Sequence, residues 1–213
     1  MQQQSTGAVK LFAGIAALLG WFAITAQFYL IINGNTAPVS ETIIRFFSYF
    51  TILSNILVAL CFTGILFDPK WRLHRFFSKA GTQTAITAYI MVVGGVYNVI
   101  LRFLWQPKGL QQVVDELLHS VIPLLSILFW LAFVPKENLR WKNSFSWMIF
   151  PLCYTVFLAV RGAISGYYPY PFINVTNIGY PTVLLNGGIL VLVFMGVFLF
   201  LIAVAKFISR KQL

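Results

Sequence analysis

Acidic side chains are nearly missing from this chain: five Asp and Glu stand against fifteen Lys and Arg in 213 residues, and charged residues make up only 9% of the total. A soluble domain averages about a quarter charged residues, so the shortage excludes an ordinary water-soluble fold. Cysteine is scarce too. Cys61 and Cys153 both fall inside apolar stretches, which excludes a disulfide framework and predicts two buried packing residues. No CxxC, HExxH, GxSxG or phosphate-loop pattern occurs, so the usual signatures of metal, redox, α/β-hydrolase and nucleotide chemistry are missing. Neither is an internal repeat discernible, which counts against an inverted-repeat transporter.

What is present is apolar: 59% of the chain, gathered into long runs. About 20 such residues cross a bilayer core. The runs predict six spans at about 9–31, 43–67, 82–105, 115–134, 147–166 and 182–205. The first is too long for a signal-peptide core and lacks a small-residue cleavage site, so it reads as a mature helix. The expectation is an all-α polytopic membrane protein, one integral membrane domain over 1–213, built as a bundle of six transmembrane helices.

The net charge of +10 does not indicate nucleic acid, because the cations sit at span ends rather than in one block. Lys70, Arg72, Arg75 and Lys79 lie between spans two and three. Lys136, Arg140 and Lys142 lie between four and five, Lys206, Arg210 and Lys211 form the tail, and Lys10 precedes span one. The alternate loops hold only Lys108. That asymmetry is the positive-inside pattern with both termini cytoplasmic, and it favours contact with anionic lipid headgroups. His74, among the cations of one such loop, reads as solvated, and Trp71 with Phe76-Phe77 as an interfacial anchor.

The other ionisable residues, Glu41, Arg45, Arg102, Asp115, Glu116, His119 and Arg161, fall by this count towards the opposite side. Ionisable groups inside a membrane usually mark function, so they point to a polar chamber open to one face. Arg45, Ser48, Thr51 and Asn55 recur at helical spacing and predict a polar stripe on span two. Gly94-Gly95 permits close helix approach, and Asn98 and Arg102 follow one turn apart. Asp115 and His119 form an i,i+4 pair, and Pro123 then bends the helix and frees a backbone carbonyl. Asn186-Gly187-Gly188 in span six reads as a polar group beside a close-packing point. The Tyr167–Phe172 loop, rich in aromatics and proline, reads either as an aromatic belt or as a lid, and Asn174-Val175-Thr176 matches a glycosylation sequon.

These groups suit nucleophilic catalysis, which needs a hydroxyl, an adjacent base and a group that orients the base. His119 is the candidate base, with Asp115 or Glu116 to orient it. Thr51 and Ser48 are rival nucleophiles. Depth along the spans slightly favours Ser48, at about 7–8 Å against about 6 Å for His119 and about 12 Å for Thr51. Asn55, Asn98, Asn186, Arg102 or Arg161 would donate to an oxyanion. Arg45 and Arg102 also suit snorkelling to the interface, and Arg161, deeper in its span, suits pairing with Glu116 or Asp115. The same residues fit two other classes. One is a transporter or binding protein holding an anionic or amphipathic ligand between Arg45, Arg102 and Arg161. The other is a noncatalytic scaffold whose polar groups serve packing.

Three segments occur in order: Arg45-Phe46-Phe47-Ser48-Tyr49-Phe50-Thr51-Ile52-Leu53-Ser54-Asn55, His119-Ser120-Val121-Ile122-Pro123 and Tyr168-Pro169-Tyr170-Pro171-Phe172. In these the chain resembles a bacterial relative of the androgen-induced membrane protein family, which includes the androgen-dependent regulator of tissue factor pathway inhibitor. The resemblance spans nearly the whole chain and its six-helix layout. It implies an intramembrane threonine hydrolase of fatty acyl esters, with Thr51 as nucleophile and His119 as base, acting on membrane lipids without metal or organic cofactor. Two departures stand out. Ser54 occupies a position where animal members can carry an acid, and the interval from His119 to Pro123 is one residue shorter. The location implied is a bacterial cytoplasmic membrane.

Overall fold

The structure is a computed structural model that describes residues 6–104 and 106–210. Lys211, the first residues of the polar start and Trp105, at the end of the third expected span, lie outside the described residues. The described chain is helical, without strands. Five helices are long and apolar enough to cross a membrane, or six if one bent pair counts as a single span. That is compatible with an integral, multi-pass membrane protein. The chain forms two compact units, Met1–Asn138 and Leu139–Leu213.

The first unit is a ring of four antiparallel neighbours. Helix α1 (Thr6–Asn33) packs on α3 (Phe50–Leu66), α3 on α5 (Ala80–Val99), α5 on α7 (Ile122–Phe133), and α7 back on α1. Small residues bring the first pair close: a Cβ on Gly20 would meet Ala59 Cβ at 3.2 Å. Trp21 Nε1 donates to Thr63 Oγ1 at 3.0 Å, which satisfies an indole in an apolar setting. Between α5 and α7 the close point is Gly94, where a Cβ would meet His119 O at 3.1 Å and Pro123 Cβ at 3.2 Å. Gly95, expected to share that role, faces open space, as do Gly187 and Gly188. Gly94→Val is expected to destabilise the unit by about 1–3 kcal/mol, because overpacking must push α5 off α7. A midpoint unchanged in thermal unfolding would show that the approach is not tight.

The second expected span is not one helix. Helix α2 (Val39–Phe47) and α3 meet at an angle of 69°. Tyr49 is extended, with ψ 124, and it separates the two. The single polar stripe expected through Arg45, Ser48, Thr51 and Asn55 is therefore broken after Ser48. Arg45 Nε pairs with Glu41 Oε1 at 2.8 Å within α2.

Short helix α4 (Arg72–Phe77) follows. Phe77, expected at the interface, is buried under Gly64, while Trp71 stacks on Phe67 at 5.4 Å. His74 is half-buried, with Nδ1 covered and without a hydrogen-bond partner. After α7, Lys136 turns inward, and Nζ donates to the carbonyls of Trp130, Leu131 and Val134 at 2.8, 3.1 and 2.7 Å. The ammonium thereby satisfies the carbonyls that a helix end leaves open. Burial pushes its pKa below the ordinary lysine value, an effect partly offset by Glu137. Lys136→Met is expected to cost about 1–3 kcal/mol, the penalty for buried acceptors left unmet; chemical denaturation of the variant measures it.

The second unit holds α8 (Asn143–Trp147), α9 (Ile149–Ser165) and α10 (Val175–Arg210). Gly166 ends α9 in the left-handed region at φ 68, and Gly179 interrupts α10 at φ 73 two residues before Pro181. Cys153 on α9 is exposed, unlike Cys61, which is buried on α3. The expectation of two buried thiols thus fails at Cys153. An apolar run in a membrane helix serves the lipid-facing side as well as the core.

Candidate active site

Helix α6 (Leu110–Glu116) runs into α7 through a π-turn, Leu117–Val121. The amide of Ile122 bonds to Leu117 O rather than to Leu118 O. Pro123 has no N–H to offer His119 O. The carbonyls of Leu118 and His119 therefore lose their helical donors, and asparagines from neighbouring helices replace them. Asn55 Nδ2 donates to Leu118 O at 3.2 Å, and Asn98 Nδ2 donates to His119 O at 3.1 Å. This is the freed carbonyl expected at Pro123, with its partners now identified. π-turns are rare and concentrate at functional sites.

The expected pair spans the junction of α6 and that turn. His119 Nδ1 lies 2.9 Å from Asp115 O and 3.3 Å from Asp115 Oδ1. Both neighbours are acceptors, so Nδ1 carries the proton and Nε2 is the basic nitrogen. The side chains are sequestered, with 14% exposure for His119 and 8% for Asp115. Tyr97 completes the cluster. Its ring stacks on the imidazole at 4.0 Å and 14°, and its hydroxyl donates to Asp115 Oδ2. Sequence reasoning missed Tyr97. The signal available was its place three residues after Gly94, on the face that the glycine brings against α7.

Beside this cluster lies a second, charged one. Arg102, in a short 3-10 turn after α5 (Leu101–Phe103), donates from Nη2 to Glu116 Oε2 at 2.7 Å and places Nη1 2.7 Å from Oε1. It also donates to Ser120 Oγ at 3.0 Å and Asn98 Oδ1 at 2.9 Å. Ser120 Oγ donates to Glu116 Oε2 at 2.8 Å. The pair is bidentate, the strong form of an arginine–carboxylate contact. Arg102 keeps 37% of its side chain exposed, as a snorkelling arginine does, and Glu116 is committed to it, which leaves Asp115 to orient His119.

Of the rival nucleophiles, Ser48 is fully buried at the α2–α3 break and donates to Ile44 O at 2.7 Å. Thr51 stands in the first turn of α3. Asn55 Nδ2 bonds both Thr51 O, at 2.8 Å, and Leu118 O. One amide group therefore ties the Thr51 turn to the residue before His119. Asn55 stands beside Leu118, Thr51 is one turn before it on α3 and Ser48 lies beyond the break. Both N–H bonds of Asn55 are used, and those of Asn98 likewise, the second on Gly94 O at 2.8 Å. Asn186 donates to Phe172 O at 2.7 Å, and Arg161 lies over the Tyr167 ring at 5.7 Å, both within the second unit. Among the described residues no group of three His, Cys, Asp or Glu side chains could hold a metal.

Comparison with known protein families, with characterised proteins and with solved structures finds no match for this chain.

Proposed function

We propose that the chain is an intramembrane hydrolase of fatty acyl esters, with Thr51 as nucleophile and His119 as base. The observation that carries the reading is the setting of the His119 ring, with Nδ1 against Asp115 O and Oδ1. A ring whose Nδ1–H is held by Asp115, and whose plane is held by Tyr97, presents a basic Nε2. His119 takes the Thr51 hydroxyl proton, and the oxygen attacks the ester carbonyl. The alcohol leaves with that proton, and water, deprotonated by His119, then releases the acid and regenerates Thr51. With both asparagine amides committed, the developing oxyanion falls to the main-chain N–H groups of the first turn of α3, where the helix dipole favours negative charge.

The positive-inside pattern puts both termini in the cytoplasm and this end of the bundle outside. A lipid ester then reaches the site from the outer leaflet of a bacterial cytoplasmic membrane. The family resemblance supports the same pair of residues. Binding of an anionic ligand fits less well, because Arg45 is paired with Glu41 and Arg102 with Glu116.

Labelling of purified protein with a lipophilic fluorophosphonate tests the reading. Wild type and Ser48→Ala should label, while Thr51→Ala and His119→Ala should not. Absence of labelling in folded wild type would favour a binding or scaffold role.

A further inference from the structure

Two turns past His119 on α7, a small cavity opens between α3, α5 and α7, lined by Val58, Cys61, Gln83, Thr87, Ser126 and Phe129. Its polar residues are almost wholly buried, with exposures of 8% for Gln83, 5% for Thr87 and 4% for Ser126. Two hydroxyls on these helices are satisfied by the carbonyl four residues back. Thr63 donates to Ala59 O and Thr84 to Ala80 O, each at 2.7 Å. Ser126 departs from this habit. Its Oγ is buried with no partner, and Ser126 lines the cavity. Native proteins rarely leave such groups unmet, and the usual partner is an ordered water with two to four polar neighbours.

We propose that Ser126, Thr87 and Gln83 hold ordered water in this cavity, a hydration site separate from the His119 cluster. The lining is neutral, so it suits water rather than an ion. The adjoining polar pair is already closed, since Trp130 Nε1 donates to Thr84 Oγ1 at 2.9 Å. Thr84 is therefore a dry neighbour to compare against. This inference holds whether or not the chain is a hydrolase.

Water-edited solid-state NMR on the full chain in lipid nanodiscs, labelled at Ser and Thr, tests it. Polarisation from water should build up at Ser126 and Thr87 several times faster than at Thr84. Equal rates at all three would overturn the proposal. A second measurement has a sign to read. If Ser126 binds water, Ser126→Ala removes a partner, and the unfolding midpoint falls by roughly 2–4 °C. If the hydroxyl is dry, its removal relieves an unmet group and the midpoint rises, which overturns the proposal.

Discussion

His119→Ala is expected to lower ester turnover roughly a thousandfold or more, and Thr51→Ala by a similar factor, because residues of a catalytic unit fail together. For the same reason the double variant should be no slower than either single one. The structural basis is local. His119 pairs with Asp115 four residues back, and its ring is held by Tyr97. Removing the imidazole therefore takes away the base while the Asn55 and Asn98 bonds to the backbone of the π-turn stay available. Turnover of a long-chain ester by purified protein in nanodiscs, read beside thermal unfolding, separates chemistry from folding. A His119→Ala protein that folds and turns over at the wild-type rate would remove His119 from the mechanism.

Asn98→Leu is the second large effect, this time on stability. It leaves His119 O without its donor and takes Oδ1 away from Arg102. An unmet buried carbonyl costs about 1–3 kcal/mol, and in a protein of this size each kcal/mol lowers the midpoint by roughly 2–4 °C. The origin of the effect predicts its remedy. Pro123→Ala restores an N–H four residues after His119, so the double variant Asn98→Leu/Pro123→Ala should recover part of the loss. Groups that share a partner are energetically coupled. Strict additivity of the two substitutions would contradict the idea that Asn98 stands in for the missing proline donor.

The helical class and most of the spans were legible because apolar length is a strong signal: α1 covers the expected 9–31 and α9 most of 147–166. The Asp115–His119 pair and the effect of Pro123 were legible because both depend on local spacing alone. The break at Ser48-Tyr49 was not, since no Gly or Pro marks it and Tyr49 is extended by tertiary context. The fourth span was expected over 115–134, and the helical stretch there begins earlier, at Leu110. Here Asp115 and Glu116 lie within Leu110–Phe133, compensated by Tyr97 and Arg102 from α5 and the turn after it. Tyr97 escaped notice as one of nine tyrosines in an aromatic-rich chain. Its role depends on a contact across eighteen residues that only the approach at Gly94 allows.

The most direct measurement is the location of the fluorophosphonate adduct by peptide mass spectrometry after labelling of the wild-type protein. The account predicts a single modified residue, Thr51, with labelling abolished in His119→Ala. An adduct on Ser48, on Tyr97 or on any residue of the second unit would contradict it.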